Sequence, residues 1–270
     1  MTTADASTND LTSDLALALA LADTADQITL DRAGAADLRV GRKPDRTPVT
    51  DADLAVEDAI RAVLRAQRPL DSVLGEERGD TVADAERRWL LDPIDGTKNF
   101  LRGVPVWATL IALVERGRPV VGVISAPALR RRWWAATGAG AHTTDAHGIT
   151  RIITVSAVSE LADAYLSTTH LGSWVEHRTR ESYLSLVDAT WENRAFGDFW
   201  QHCLVAEGAI DLAAEPVVSP WDVAAAQVLV EQAGGRFTDL QGLARYDGGT
   251  ALSSNGLLHD AALALLHPIC

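Results

Sequence analysis

A buried apolar run that ends in two aspartates limits what this chain can fold into more than any other stretch. The run Trp89-Leu90-Leu91 predicts a buried strand, and the motif Asp92-Pro93-Ile94-Asp95-Gly96-Thr97 follows it directly. Pro93 has no N–H for a sheet ladder and fixes one backbone angle, whereas Gly96 permits a tight turn. We therefore expect two carboxylates on a stiff turn, before a short helix that ends at Gly103. Such a turn suits a metal cation, and the free amides at the helix start suit a phosphate.

The simpler interpretation is an ordinary strand-turn-helix, in which Asp92 satisfies the turn and Asp95 caps the helix. Two further motifs argue against it. One is Gly75-Glu76-Glu77, and the other is Trp221-Asp222-Val223-Ala224-Ala225. In the second motif, Ser219, Pro220 and Asp222 are also typical of a helix start, so that capping alone would explain Asp222.

Together the motifs contribute four carboxylates at strand ends and helix starts, from Glu76, Asp92, Asp95 and Asp222. Carboxylates gathered in one place repel one another unless a cation joins them, and oxygen ligands favour magnesium or manganese over zinc. None of these motifs contains His or Cys, so a zinc hydrolase is not expected.

Composition narrows the class of partner. The chain has 270 residues, 47% of them hydrophobic, and a formal net charge of -13 with two cysteines. An acidic surface disfavours nucleic acid and anionic membranes, and the cysteine count fits a reducing, cytoplasmic location. We find no signal peptide and no apolar run of the roughly 18 residues that a membrane span needs. Residues 1–10, rich in Thr, Asp and Ser, are expected to be a flexible tail.

The first half, residues 11–145, is predicted to be α+β. Helices are expected over residues 11–34 and 50–65, with a polar loop over 37–49 between them, and either Asp51 or Asp53 caps the second helix. Residues 72–74, 106–114, 120–126 and 132–136 read as strands. The short connections between the last three predict an antiparallel meander. A Gly/Ala/Thr-rich loop over 138–148 is the expected boundary.

The second half, residues 146–270, alternates strands and helices. Strands are predicted near 166–169, 190–196, 210–213, 236–239 and 251–254, and helices near 180–188, 199–208, 220–233 and 260–266. This alternation favours a covered, mixed and mostly parallel sheet. Its helices would bring Asp222 and further substrate contacts to the site.

The three motifs, taken in order, resemble the inositol monophosphatase superfamily of magnesium-dependent phosphatases. The resemblance runs from the loop at Lys43 to Asn255 and implies a layered αβαβα sandwich, with an antiparallel sheet in the first half. It also implies a small phosphate ester as substrate and a homodimer.

The resemblance carries a set of site residues with it. Glu76, Asp92 and the Ile94 carbonyl would hold one magnesium, and Asp92, Asp95 and Asp222 a second, with a third through waters near Glu76. Mn²⁺ is a possible substitute. Asp51 and Thr97 would orient the attacking water, and the Gly96 and Thr97 amides would hold phosphate. Water then attacks in line, with no phosphoenzyme.

Within the superfamily, the chain looks most like histidinol-phosphate phosphatases of the actinobacterial type. The stretches that carry this include residues 43–53, 103–108, 126–134 and 194–199. Inositol enzymes typically place Gly-Ser-Ala after the arginine that corresponds to Arg194, whereas this chain has Gly197-Asp198-Phe199. The expected substrate-binding residues are Arg194, Asp198, Glu215 and Asn255. Asp198 and Glu215 suit a cationic leaving group, and Asn255 is the candidate for the imidazole. Asp198 pairing with Arg194 and Asn255 capping a turn are the simpler interpretations.

Two alternatives remain at this stage. The first is an inositol-1-phosphate or other sugar-phosphate phosphatase. The second is a non-catalytic regulatory scaffold of the same fold, which would need a basic or apolar docking surface.

Overall fold

Two β-sheets and three layers of helices make up the described part of the chain. The structure, a computed structural model, describes residues 3–44, 46–81, 85–177 and 180–266, and side chains from residue 11 onward. The helices are α1 (Thr3–Arg32), α2 (Asp51–Gln67), α3 (Thr97–Arg102), α4 (Leu171–His177), α5 (Arg180–Ala189), α6 (Asp198–Ala206), α7 (Pro220–Gln232) and α8 (His259–Leu266).

The strands are short except in the centre of the first sheet. They are β1 (Val40–Arg42), β2 (Pro48–Thr50), β3 (Ser72–Gly75), β4 (Gly79–Asp80), β5 (Arg87–Asp95), β6 (Ala108–Glu115), β7 (Arg118–Ala126), β8 (Arg131–Ala136), β9 (Gly140–Thr144), β10 (Thr150–Ile153), β11 (Tyr165–Ser167), β12 (Glu192–Arg194), β13 (Leu212–Glu215), β14 (Arg236–Thr238) and β15 (Ala251–Ser254).

The first sheet has eight strands in the order β10-β9-β8-β7-β6-β5-β3-β4. Strands β6 to β8 form the predicted antiparallel meander, which β5, β9 and β10 extend, whereas β3 pairs with β5 in parallel. The second sheet has the order β12-β11-β13-β15-β14 and is mixed. Strand β11 pairs in parallel with β12 and β13, but β15 pairs antiparallel with β13 and β14, so parallel pairs are not the majority that the sequence predicted.

Three hydrophobic clusters join the layers and confirm the αβαβα sandwich. One packs α1 and α2 on the outer face of the first sheet. The largest buries α6 and α7 between the two sheets. The third packs α5 and α8 on the outer face of the second sheet. Because α6 and α7 lie between the sheets, their first turns are brought next to the end of β5.

A bulge in β5 shapes the turn on which the site is built. Asp92 pairs with Leu110 of β6, but Asp95 pairs with Ala108, so three steps along β5 match two along β6. The Pro93 carbonyl accepts a hydrogen bond of 2.8 Å from the Thr109 hydroxyl. The proline therefore interrupts the ladder where its missing N–H costs nothing, and the bulge re-aims both carboxylates.

Three boundaries differ from the sequence predictions. Helix α1 begins at Thr3, so most of the segment expected to be a tail is helical; residues 1 and 2 lie outside the described residues. Extending an existing helix adds one hydrogen bond per residue fixed, and this outweighs the polar composition. Residues 37–49 include strand β1 and most of β2, which form a hairpin.

The third difference concerns residues 138–148, expected to be a loop, which contain strand β9. The first sheet continues to Ile153 of β10 and so crosses the boundary predicted between residues 145 and 146. Gly and Ala are poor strand formers, but pairing with β8 outweighs that preference. In the part of the chain that the structure describes, no helix has the length and hydropathy needed to cross a membrane.

Candidate active site

A cavity of about 720 Å³ opens where β5 ends and α3, α6 and α7 begin. Eight residues that the sequence predicted for the site line it: Glu76, Asp92, Ile94, Asp95, Gly96, Thr97, Asp198 and Asp222. Five of these eight side chains are carboxylates. The cavity therefore brings together the acidic strand-turn, the Glu76 motif and the start of α7, which lie far apart in the sequence.

Asp92 is the most deeply buried of these acids. Its side chain is 2% exposed, and its Oδ1 atom has no hydrogen-bond partner among the described residues. Burial raises the pKa of Asp92 well above its ordinary 3.8, and the charges of Glu76, Asp95 and Asp222 raise it further. A buried acceptor without a partner among negative charges is destabilising, and a bound cation would remove that cost.

Two backbone amides orient the neighbouring acids. Asp95 Oδ2 accepts a hydrogen bond of 2.6 Å from the Phe199 N–H at the start of α6, and Asp222 Oδ2 accepts one of 2.8 Å from the Ser219 N–H. Asp95 therefore does not cap α3, whose N-cap is Gly96. Burial raises the pKa of Asp95 well above 3.8 and that of Asp222 to about 7, despite these hydrogen bonds.

Glu76 is paired with a lysine from the hairpin of β1 and β2. Lys43 Nζ lies 2.5 Å from Glu76 Oε1 and 2.6 Å from Glu77 Oε1. Glu57 holds the backbone behind them, because its carboxylate accepts from the Glu77 N–H at 2.8 Å. A Cβ at Gly75 would collide with that carboxylate, which explains the glycine of this motif.

These acids have the donor atoms that a divalent cation needs, but their side chains are not yet arranged as a complete metal site. Within the described ranges, no three His, Cys, Asp or Glu side chains are arranged to hold a metal ion as they stand. Unneutralised carboxylates repel one another, and the Lys43 ammonium neutralises Glu76. Lys98 lines the cavity, but it does not offset five carboxylates, because the pKa values of Asp92 and Asp222 are raised and Asp92 Oδ1 has no hydrogen-bond partner among the described residues. Oxygen-only donors match magnesium.

Asp51 is not where the sequence interpretation needed it. Its carboxylate points to Arg32 and Arg39, at 3.0 and 3.5 Å, and it does not line the cavity. Asp53 is instead fully buried, and its charge acts on Asp92. Asp51 is the first residue of α2 and its side chain faces outward, whereas the side chain of Asp53, the third residue, turns back over the N-cap. The capping pattern in the sequence did not distinguish these two acids.

Asp53 keeps one oxygen free of the capping contacts. Its Oδ2 accepts from the Thr50 N–H at 2.7 Å and from the Thr50 hydroxyl at 2.6 Å, while its Oδ1 is buried with no hydrogen-bond partner among the described residues. Burial raises the pKa of Asp53 to about 6, and the charge of Glu76 raises it too. This carboxylate is therefore a better candidate site residue than Asp51.

The turn after Asp95 is compact around Gly96. Gly96 has a φ of 84°, and a Cβ there would lie 3.0 Å from the Val106 carbonyl. Thr97 begins α3 and its hydroxyl donates to the Ile94 carbonyl at 2.9 Å. The predicted end of this helix at Gly103 is confirmed, since Gly103 is the C-cap.

The structure does not bring Arg194 and Asn255 to the cavity. Arg194 is exposed and its guanidinium pairs with Glu192 at 2.5 Å. Asn255 is buried, its Nδ2 donates to the Ser156 hydroxyl and the Val158 carbonyl, and its Oδ1 accepts from the Leu258 N–H. The simpler interpretation of Asn255 as a turn residue is therefore correct.

Asp198 and Glu215 do lie at the site. Asp198 adopts a left-handed φ of 47°, and its N–H donates to the Thr169 hydroxyl at 2.8 Å. Strained backbone of this kind persists where surrounding contacts impose it. Glu215 is 5% exposed, and burial raises its pKa to about 7. Asp198 does not pair with Arg194; its Oδ2 accepts weakly from Asn99 Nδ2 at 3.4 Å.

Several lining residues were missed by the sequence analysis. They are Thr47, Pro48, Lys98, Asn99, Thr169, His170, Ser173, Ala195, Phe196 and Ser219. Asn99 lies one turn after the Asp95 motif and so had a positional signal. Thr169 and His170 follow strand β11, and Ser173 lies in helix α4, which was not predicted, so nothing in the sequence placed them here.

Comparison with known proteins gives a consistent result. The model of the inositol monophosphatase family matches residues 10–269. A histidinol-phosphatase from Mycobacterium tuberculosis is 56% identical over 254 residues, which cover 94% of this chain and 98% of that protein. A histidinol-phosphatase from Streptomyces coelicolor is 50% identical and covers 96% of this chain and 98% of its own. The crystal structure of the extragenic suppressor protein suhB from Bartonella henselae superposes with a TM-score of 0.84 at 28% identity, covering 96% and 100% of the two chains.

Proposed function

We propose, because the chain belongs to the inositol monophosphatase family, that it is a magnesium-dependent phosphatase of histidinol phosphate. The observation that carries the proposal is the cavity with five carboxylates, in which Asp92 Oδ1 is buried and has no hydrogen-bond partner within the described ranges. Family members generally depend on divalent metals, and the oxygen-only donor set agrees with that dependence.

Two to three cations would be held by the residues that resemblance assigned. Glu76, Asp92 and the Ile94 carbonyl form one set, Asp92, Asp95 and Asp222 a second, and a third cation would lie near Glu76. Bound Mg²⁺, or Mn²⁺ in its place, would neutralise the phosphoryl oxygens and lower the pKa of a bound water. Lys43 must then give up Glu76, because one carboxylate oxygen cannot serve both cations at full strength.

The chain's own groups prepare the water and the phosphate. Asp53 takes the water-orienting role that the sequence analysis gave to Asp51. Its Oδ1 is buried and has no hydrogen-bond partner among the described residues, so this carboxylate oxygen is available to act as a base. The Thr97 hydroxyl donates to the Ile94 carbonyl, so its lone pairs remain to accept a hydrogen bond from the water, whose proton would pass to the Asp53 carboxylate. The Gly96 and Thr97 amides would donate to phosphate oxygens. Water attacks phosphorus in line, and no covalent intermediate forms.

The two candidate substrates, histidinol phosphate and inositol phosphate, differ in the leaving alcohol. Asp198 and Glu215 both face the cavity system beside Asp222, and inositol offers only hydroxyl groups to them. An alcohol with an ammonium group makes charge-assisted hydrogen bonds there, which are about twice as strong as neutral ones. The high identity to two proteins named histidinol-phosphatase supports the same choice.

A substrate panel tests the proposal. Phosphate release is measured from histidinol phosphate, inositol-1-phosphate and a sugar phosphate at saturating Mg²⁺. We expect kcat/KM to be at least about tenfold higher for histidinol phosphate, the gain of one charge-assisted hydrogen bond. A preference for inositol-1-phosphate would establish the alternative substrate, and no release from any ester would leave the scaffold interpretation. The homodimer and the cytoplasmic location stay predictions.

A further inference from the structure

A small annex opens from the main cavity, between helix α6 and strand β13. It has a volume of about 130 Å³ and shares Asp95, Asp198 and Asp222 with the main cavity. Its inner wall adds Gln201 and Glu215. Because the walls are shared, a group in the annex lies next to a phosphate ester bound at the acidic turn.

The Gln201 side chain has a carbonyl oxygen that accepts no hydrogen bond from the described residues. Its side chain is fully buried, and its Nε2 donates to Glu215 Oε1 and, at 3.3 Å, to the Thr169 hydroxyl. Because Glu215 Oε1 and the Thr169 hydroxyl both accept at one end of this amide, that end is the NH₂ group. The Oε1 atom, at the other end, is buried with no hydrogen-bond partner among the described residues. An unused buried carbonyl oxygen costs about 1–3 kcal/mol, and in Gln201 it belongs to a residue that lines a cavity beside the candidate site.

Glu215 is held so that one oxygen remains for the annex. Its Oε1 accepts from the Thr169 N–H at 2.7 Å, from the Thr169 hydroxyl at 2.5 Å and from Gln201. The other oxygen makes none of these contacts. Asp198, on the opposite side, is fixed through its N–H on the same Thr169 hydroxyl. Gln201 and Glu215 therefore each keep one oxygen outside these contacts, and Asp198 adds its carboxylate.

We infer that this annex binds the primary ammonium of the leaving alcohol, and that Gln201 is a specificity-determining residue through its Oε1 atom. The inference rests on the proposed phosphatase function. An ammonium has three donors and no acceptor, which matches three acceptor groups and a negative surround. In histidinol phosphate the ammonium is on the carbon next to the ester carbon, so it must lie beside the phosphate.

The imidazole is the other source of N–H donors in this substrate, but it fits the annex less well. A neutral imidazole brings one donor and one acceptor, and its acceptor would face carboxylates. It is also attached one carbon further from the ester, and Phe196 and His170 line the main cavity but not the annex. We therefore assign the ammonium to the annex and the imidazole to the main cavity.

Three esters separate these groups: histidinol phosphate, its analogue without the amine, and phosphoethanolamine, which keeps the amine but has no imidazole. For the unaltered protein we expect kcat/KM to fall about tenfold to a hundredfold when the amine is removed, as for one lost hydrogen bond to a charged group. Equal kcat/KM with and without the amine would overturn the inference. It would leave the phosphatase proposal intact, provided that histidinol phosphate is still hydrolysed.

The variant Gln201→Met removes the acceptor and keeps the length of the side chain. We expect it to lower kcat/KM about tenfold for histidinol phosphate and for phosphoethanolamine, and clearly less for the ester without the amine. Gln227→Met is the matched control. Gln227 is a buried glutamine of α7 that also has an unpartnered Oε1, but it lines neither cavity. We expect it to leave the ratio between the esters unchanged.

Binding of the product alcohol gives a readout that needs no turnover. Calorimetry is run with L-histidinol and with the alcohol without the amine, on the unaltered protein and on Gln201→Met. Weaker binding of histidinol alone supports the assignment. Equal weakening of both alcohols would show that Gln201 only supports the fold. Displacement of histidinol by Mg²⁺ in competition would show that the annex is a cation site for metal, and would also overturn the inference.

Discussion

Helices α2 and α7 begin in the same way, and the comparison shows how a capping acid can become a site residue. Each has Ser or Thr at the N-cap and Asp three residues later. In each, the Asp Oδ2 accepts from the N-cap N–H, at 2.7 Å from Thr50 to Asp53 and at 2.8 Å from Ser219 to Asp222. Both charges act on Asp92, and burial raises both pKa values, to about 6 and about 7.

The two starts differ in what surrounds the free oxygen. Asp222 lines the cavity and is shared with the annex, whereas Asp53 lies behind it, fully buried, with Oδ1 unpartnered among the described residues. This difference in surroundings favours different roles for the two carboxylates. In the proposed function, Asp222 would bind a cation directly, and Asp53 would act on the attacking water.

The largest effect should come from the acid on which both helix starts act. We predict that Asp92→Asn lowers kcat by roughly a hundredfold to ten-thousandfold, since a shared ligand stabilises transition-state charge by several kcal/mol. With chelator present, the same variant should melt at a higher temperature, because a buried repulsive charge is gone. Activity above about a tenth of normal, or a lower Tm without metal, would contradict the role of Asp92 as the shared ligand.

The next prediction separates Asp53 from its neighbour in the first turn of α2. Asp53→Asn should lower kcat about a hundredfold with little change in KM, because an Asn can still accept from Thr50 but cannot take a proton. Asp51→Asn is the matched control and should retain most of the activity, since Asp51 pairs with Arg32 and Arg39 outside the cavity. The reverse ranking would return the water-orienting role to Asp51.

The pH dependence of stability sharpens the comparison at α7. The folded pKa of Asp222 is about 7 against an ordinary 3.8, so the folded protein binds this proton more tightly. Its contribution is therefore neutral below about pH 4 and increasingly unfavourable as pH rises to about 7. In chelator, Asp222→Asn should exceed the parent Tm by several degrees at pH 8, and the gap should close towards pH 4. A gap that is independent of pH would show that Asp222 is not buried as a charge.

The smallest effect concerns the cap itself. Thr50→Val removes the hydroxyl that accepts from the Ala52 N–H at 3.2 Å and donates to Asp53. We expect the free energy of unfolding to fall by about 0.5–2 kcal/mol, as for other lost caps. Activity should fall less than for Asp53→Asn, because the carboxylate keeps its bond to the Thr50 N–H. A loss of activity as large as that of Asp53→Asn would mean that the hydroxyl itself takes part in the reaction.

The same comparison shows what the sequence could predict. Where a backbone rule is local, it succeeded: Pro93 and Gly96 set the turn, Gly103 ended α3, and Ser219-Pro220 began α7. The meander followed from short connections between apolar runs. These features need only propensities and capping, which neighbouring residues determine.

Features that depend on contacts distant in sequence were missed. Asn255 looked available from the sequence, but its amide donates to Ser156, which is 99 residues away in the chain. The choice between Asp51 and Asp53 depends on which side of α2 faces Glu76, and Gln201 has meaning only beside Glu215 and Thr169. Helix α4 and its site residues gave no periodic signal over seven residues.

The central claim is that the acids of the β5 turn bind magnesium together with Glu76 and with Asp222 at the start of α7. Its most direct test is a calorimetric titration of Mg²⁺ into chelator-treated protein, with Asp92→Asn and Asp51→Asn measured alongside. We predict binding to the unaltered protein and to Asp51→Asn, and at least about a hundredfold weaker binding to Asp92→Asn, for one lost carboxylate ligand. Unchanged Mg²⁺ affinity in Asp92→Asn, or no Mg²⁺ binding to the unaltered protein, would contradict the claim.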